Sequence, residues 1–257
     1  MVTVERVLDI PGPTEPWHAG TLVGFDLETT GRNPHTARVV TASLVLMDPA
    51  GQLRATAEWL VDPEVEIPAE AAAVHGVTTE HAREHGMDAT QGVSEIVATL
   101  QDFMYHRVPI VAYNGVYDFT VLTAEMVRRN MGEFAVVGII DPYVLDKHVD
   151  TYRKGKRTLE AVSEHYGVSL DNAHTSLADS IAAVQVAQAI VAHHPARLEA
   201  PLEKIFDHQI RWKAEQSASF EQYLQRKNPQ AIVSKDWPVE KATAPKHHTH
   251  DTPHVPQ

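Results

Sequence analysis

Residues 22–31 read LVGFDLETTG. Leu22, Val23, Phe25 and Leu27 have the apolar character of a strand entering a core. Asp26 and Glu28 interrupt it two positions apart. Successive strand side chains point to opposite faces, so these two carboxylates emerge side by side on one face. Like charges so close repel, and withdrawing them from water costs more still. A solvated strand face tolerates such a pair. Thr29, Thr30 and Gly31 follow at once and supply hydroxyls and a tight turn beside the acids.

Working outward, residues 37–48 (ARVVTASLVLMD) and 53–61 (LRATAEWLV) read as two further strands, and the PAGQ between them has turn chemistry. An antiparallel meander is therefore expected. Val93, Ile96, Val97, Leu100 and Met104 recur at helical spacing. VPIVAYN and FAVVGIID (134–141) read as short buried strands, with a helix from VYDFTVLTAEMVRRN between them. Helices are expected near 142–149 and 158–166, and a long one in SLADSIAAVQVAQAIVAHH, ended by Pro195. A meander followed by alternating strands and helices predicts a mixed α/β sheet covered by helices.

The organisation expected is an irregular lead-in at 1–19, rich in proline, and an α/β domain at 20–198. An amphipathic helix at 199–228 and a tail at 229–257 without a fold of its own complete it. In the helix, Leu202, Ile205, Phe206, Phe220, Tyr223 and Leu224 are the residues available to dock on the body or on a second subunit.

The chain has 257 residues, 43% hydrophobic, enough for a sizeable core. No apolar run is long enough to span a membrane, and the N-terminus lacks the pattern of a secretory signal, so a cytoplasmic protein is expected. Cysteine is absent, which excludes disulfides and thiolate metal sites. The net charge is −12, opposite to the basic surface of a non-specific nucleic-acid binder. A polyanionic substrate would have to meet local basic groups or bound cations.

Three further residues carry chemistry. Asp118 lies in AYNGVYDFTVL, where a strand ends and a helix begins. Asn114 has N-cap character, and an acid in a first helical turn favours the helix dipole. The same place delivers a carboxylate to the crevice outside a strand end. Asp179 lies in AHTSLADSIAAV, where Ser176 and Asp179 have the spacing of a capping box. His174, two residues before Ser176, is not explained by capping. Each residue has a structural explanation alone; the ordered set D-x-E, D, H-x4-D is harder to explain so.

FDLETTG, AYNGVYDFTVL and AHTSLADS together resemble the three motifs of the DEDD exonuclease superfamily. The histidine places the resemblance in the DEDDh (DnaQ-like) branch, which includes the proofreading epsilon subunit of bacterial DNA polymerase III. The tyrosine branch would carry Tyr where this chain has Thr175. The resemblance runs from about Thr21 to His194 and extends to AVHGVTTEHA (73–82), IIDPYVLDKHV and KRTLEAVSEHYGV. The C-terminal helix resembles stand-alone members from actinobacteria and their phages.

The resemblance implies an RNase H-like exonuclease fold, with a mixed five-stranded sheet flanked by helices. It also implies two divalent cations, Mg²⁺ or Mn²⁺. Asp26 would touch both ions, Glu28 and Asp179 would hold the one that activates water, and Asp118 would support the other. His174 would take the proton. The activity implied is a 3′-5′ exonuclease releasing nucleoside 5′-monophosphates. Leu27, Thr29, Thr30, His75 and Asn114 would meet the terminal nucleotide, though His75 reads equally as a loop histidine near a turn glycine. Tyr117 and Phe119 are stacking candidates that read first as core residues, and RKGKR (153–157) is either a solvated loop or a phosphate contact.

Single-stranded DNA 3′ ends are the expected substrate. An exoribonuclease of the same fold is the alternative, since contacts to the 2′ position decide between them. A catalytically silent nucleic-acid-binding module is the third reading, weakened by five intact catalytic-type residues. A free nuclease in DNA metabolism or repair is expected before a proofreader with a DNA polymerase partner, because no Q-x-x-hydrophobic clamp peptide is evident. The histidines at 247, 248, 250 and 254 read as incidental to the tail.

Overall fold

The computed structural model describes residues 8–170 and 175–242. Its centre is a five-stranded sheet of β1 (Leu22–Thr29), β2 (Val39–Met47), β3 (Leu53–Leu60), β4 (Ile110–Val111) and β5 (Ile139–Ile140). The order is β3-β2-β1-β4-β5. β1, β2 and β3 pair antiparallel, whereas β4 and β5 join β1 in parallel. The sheet is thus the mixed α/β arrangement expected from the sequence.

Two helical layers cover it. On one face, Val23, Phe25 and Leu27 of β1 pack with Val93, Ile96 and Leu100 of α3 (Ala89–Tyr105) and with Phe119 and Leu122 of α4 (Val116–Arg128). On the other, Leu22, Val45 and Met47 pack against Val184, Ala187, Ile190 and Val191 of α7 (Ser176–His193). α5 (Pro142–Val149) and α6 (Leu159–Tyr166) extend that second layer. α7 is apolar nearly all round and correspondingly buried.

Parallel strands β4 and β5 are only two residues long, shorter than the segments VPIVAYN and FAVVGIID predict. Their apolar flanks, Val108 and Phe134 among them, are buried as irregular chain, and Gly138 has a left-handed φ of 70° just before β5. Apolar content therefore reported burial rather than strand length. Two short helices, α1 (Ala69–His75) and α2 (Thr79–His85), are not predicted by periodicity. Each has seven residues, and α1 buries none of them, so there is no apolar stripe to read. Their marks are Gly76 in the left-handed region at φ 78° and Thr78, whose side chain caps α2.

The ends of the described chain pack more closely than composition suggests. Trp17, in the lead-in, is fully buried and donates from Nε1 to the Leu198 carbonyl at 3.1 Å. After α8 (Pro195–Leu198), α9 (Leu202–Gln225) lies along α5 and the β5 edge. Leu202 and Ile205 are buried there, while Phe220 and Tyr223 stack on each other and remain half exposed, contrary to their expected docking role. Gln209 is buried and caps the open ladder of β5: its Nε2 donates to the Ile139 carbonyl at 2.9 Å and its Oε1 accepts from the Asp141 amide at 2.7 Å. The expectation of an unfolded tail from residue 229 fails for 229–242, because Trp237 is buried against Phe206. One aromatic anchor outweighs the polar composition around it. The histidines from 247 onward lie outside the described residues.

Candidate active site

The two acids of β1 share the face covered by α7. Gly24, two residues before Asp26 on that face, makes the cover close. A Cβ at Gly24 would stand 2.5 Å from the Ser180 carbonyl oxygen and 2.8 Å from a Val184 methyl. Glycine at 24 therefore lets the backbone of α7 descend onto β1. Two hydroxyl contacts fix the helix start: Ser176 Oγ meets Ser43 Oγ at 2.7 Å, and Ser180 Oγ donates to the Ser43 carbonyl at 3.2 Å. Ser43 is the cross-strand partner of Asp26. Helix, strand and acid are thereby tied at one point.

The cap of α7 differs from the sequence reading. Thr175, not Ser176, is the N-cap, with its Oγ1 accepting from the Ala178 amide at 3.3 Å. Ser176 instead spends its hydroxyl on the sheet. Asp179 then lies in the first turn. Oxygens of Asp26, Glu28 and Asp179 all come within 4.8 Å of one another.

Asp118 arrives from the opposite layer. β4 ends at Val111, beside Gly24, so β1 runs on past its parallel neighbour. The Leu27 amide beyond that point is satisfied by Asp118 Oδ1 at 3.1 Å. α4 carries this side chain in its first turn, and Phe119 beside it packs on Phe25 with centroids 5.6 Å apart. Phe119 is fully buried, which removes it as a stacking surface.

The electrostatics are those of crowded carboxylates. Burial, then the charges of Asp118, Asp179 and Glu28, push Asp26 well above the ordinary carboxylate range. Burial and Asp179 raise Glu28 to about 7. Burial raises Asp118 as well, with Asp141 and Glu28 adding to it against the opposing amides of Asp118 itself and Leu27. These groups hold protons tightly in the absence of a counter-charge. An oxygen-only donor set of this density fits hard divalent cations such as Mg²⁺ or Mn²⁺. Asp26, Glu28 and Asp179 could hold one such ion, with Asp118 beside them.

A cavity opens next to the acids, lined by Leu27, Glu28, Thr29, Thr30, His75 and Tyr117. Tyr117 is only partly buried; its hydroxyl contacts Thr29 Oγ1 and the Gly31 carbonyl and so ties the TTG turn to α4. His75 closes α1, and its Nδ1 accepts from the Val77 amide at 3.2 Å. Its Nε2 is buried, and burial lowers the pKa of the ring against a raising interaction with the Thr29 backbone. A neutral imidazole between Glu28 and the Thr29 turn results. A second cavity shares Glu28 and His75 and extends along Ser43, Trp59 and Thr175.

Other expected residues fall elsewhere or beyond view. Asn114 does not cap α4; Gly115 occupies that position without a side-chain bond. Asn114 sits in the left-handed region at φ 55°, is exposed and lies outside the lining of the cavity. Asn and Asp tolerate that conformation best among non-glycine residues. The basic RKGKR patch is divided: Arg153 and Arg157 turn inward onto the fully buried Asp146, at 2.5 Å each, leaving Lys154 and Lys156 exposed. A buried carboxylate recruits the nearest guanidinium groups before a ligand can. His174 lies outside the described residues.

Sequence reasoning missed Asp141, which caps α5 and is 1% exposed. Its carboxylate accepts from the Asn114 amide at 2.8 Å, the Tyr143 amide at 3.0 Å and Trp237 Nε1 at 3.3 Å. Burial raises it to about 6 despite those donors. The Asp-Pro step before a helical pattern was the available signal.

Comparison with known proteins places this geometry. The family model described as Exonuclease (RNase_T) matches residues 23–187. DNA polymerase III PolC-type from Clostridium perfringens is 24% identical over 164 residues, covering 64% of this chain and 11% of that protein. The PolC-type polymerase of Pediococcus pentosaceus is 27% identical over 165 residues, with the same 64% and 11% coverage. The chain thus spans about a ninth of the length of these relatives. Among solved structures, E. coli Exonuclease I in complex with a dT13 oligonucleotide superposes with a TM-score of 0.58 at 20% identity, over 69% of this chain and 42% of that one. A 3′-exonuclease that recognises the histone mRNA stem-loop gives a TM-score of 0.56 at 14% identity, over 70% of this chain and 84% of that one. These likenesses establish the fold.

Proposed function

The chain belongs to the RNase_T exonuclease family, within the DnaQ-like DEDD superfamily, and from that premise we propose that it is a metal-dependent 3′-5′ exonuclease acting on DNA 3′ ends. The observation that carries the reading is the approach of Asp26, Glu28 and Asp179 to within 4.8 Å, with Asp118 anchored beside them on the Leu27 amide. Such crowding of charge costs stability, and a bound cation offsets it. Two divalent ions held by Asp26, Glu28, Asp179 and Asp118 would supply activation of water and neutralisation of charge on the leaving 3′-oxygen.

The protein's own groups do the rest. Thr29, Thr30 and the backbone at Leu27 border the cavity where a terminal nucleotide would sit. Tyr117 holds the Thr29–Gly31 turn against α4, so the cavity wall is set before substrate arrives. His75, half-buried at the cavity wall, is the residue of α1 placed to meet that nucleotide. His174 takes the proton of the attacking water; replacing it with alanine is expected to cost on the order of 10² in rate. DNA is favoured because the sequence relatives are DNA polymerases by name. A polymerase-associated role is the secondary reading on the same ground.

A time course with 5′-labelled DNA and RNA oligonucleotides tests this. The expected result is a Mg²⁺- or Mn²⁺-dependent ladder that shortens from the 3′ end, faster on DNA, with nucleoside 5′-monophosphate as product. Cleavage that persists in EDTA, or internal cuts without a ladder, would contradict it. A faster ladder on RNA would reassign the substrate.

A further inference from the structure

We infer that residues 231–242, with Gln209 of α9, form a strap that positions the Asp118 end of the active site. This deepens the proposed function and rests on the assignment of Asp118 as a cation-holding residue. The strap lies outside residues 23–187, the part of the chain that matches the exonuclease family. It nevertheless ends on the elements that deliver Asp118.

Two independent contacts make the connection. In the first, Trp237 Nε1 donates to Asp141 Oδ2 at 3.3 Å, and Asp141 Oδ1 accepts from the Asn114 amide at 2.8 Å. Asn114 is the left-handed residue whose carbonyl accepts from the Tyr117 amide at 3.1 Å, which begins α4 one residue before Asp118. Gln209 Oε1 holds the Asp141 amide from the other side at 2.7 Å. In the second, the Glu240 amide donates to Thr120 Oγ1 at 2.8 Å, two residues after Asp118. The first turn of α4 is thus gripped before and after its carboxylate.

Adhesion alone does not call for this pattern. A tail that merely shields apolar surface needs only the tilted packing of Trp237 on Phe206, with centroids 5.2 Å apart. Here its polar groups are spent on a buried carboxylate and on α4. Asp141 is 1% exposed; its three described hydrogen-bond donors are neutral and fix the direction of the carboxylate, while the Lys213 charge acts on it from farther off. Asp141, Trp237 and Gln209 are accordingly positioning residues: they act on Asp118 through the Asn114 turn.

The test compares the full chain with Trp237→Phe, which keeps a ring against Phe206 and removes the indole donor. Initial rates on a single-stranded DNA oligonucleotide are measured well below each variant's Tm, across Mg²⁺ concentration. The expected result is kcat lower by about tenfold, KM within about twofold, and a higher half-saturating Mg²⁺ concentration. Trp237→Phe should add nothing further in an Asp141→Asn background. Thr120→Val, which removes the acceptor for Glu240, should shift kcat and the Mg²⁺ requirement the same way and provides a second route should Trp237→Phe not fold. Wild-type kcat and Mg²⁺ requirement in both variants, or a loss confined to KM, would overturn the strap. Asp118→Asn separates the premises. Its full activity would overturn the site assignment itself, and its inactivity beside unaffected strap variants would overturn the strap alone.

Discussion

At the scale of single residues, Asp26 carries the electrostatic strain of the crowded acids. It is pushed far above the usual carboxylate range by burial and by the acids around it. Asp26→Asn should therefore abolish cleavage while the metal-free protein melts no lower than wild type at pH 8, since a repelled charge has been removed. Paired activity and thermal-melt measurements check this; a folded, fully active variant would refute the role. Glu28 gives the pH dependence. Its folded pKa of about 7 lies above the ordinary 4.5, so the folded state binds the proton more tightly than the unfolded one. Its stability contribution is complete below 4.5 and is lost as pH rises through 7. Metal-free melting temperature should fall between pH 5 and pH 8, and saturating Mg²⁺ should flatten that slope because the cation takes the proton's place. A rise over that interval without metal would contradict the assignment. The acids Asp26, Glu28, Asp118 and Asp179 stand out in the sequence because their order survives in one dimension, whereas His174 lies outside the described residues. Asp141 was legible only as a helix cap, since two of its three donors, the Asn114 amide and Trp237 Nε1, come from separate segments.

At the scale of elements, the site depends on how closely α7 lies on β1. Gly24→Ala would place a methyl 2.5 Å from the Ser180 carbonyl and 2.6 Å from a Val45 methyl, both parts of the framework. The helix must lift, and Asp179 with it. A loss of about 1–3 kcal/mol in stability is expected, together with a drop in activity larger than the stability change explains at temperatures below melting. Unfolding curves beside initial rates check it; unchanged activity would show that α7 is not held by this contact. The β1–β3 meander was readable because alternation and the PAGQ turn act locally. The lengths of β4 and β5 were not, because buried irregular chain and buried strand share one apolar composition. α1 and α2 escaped notice because they are short and bury at most two residues each, although α1 supplies His75. The RKGKR loop shows the same limit from the side of charge: its arginines were committed inward to Asp146, a partner that only folding reveals.

At the scale of the molecule, a chain of net charge −12 has a sheet, two helical layers and a C-terminal strap that converge on one acidic crevice. Family-like sequence supplies the crevice, and the segment beyond it supplies its support. The long-range ties, Trp17 to Leu198, Gln209 to β5 and Trp237 to Asp141, could not be read from composition, which marked both termini as irregular. The central claim is that the carboxylates gather to hold divalent cations for phosphodiester hydrolysis. Anomalous diffraction from crystals soaked in Mn²⁺, wild type beside Asp26→Asn, tests it most directly. The account predicts Mn²⁺ bound by Asp26, Glu28 and Asp179 in the wild type, and loss or weakening of that signal in the variant. An acidic crevice without Mn²⁺ at saturating concentration near pH 8 would contradict it.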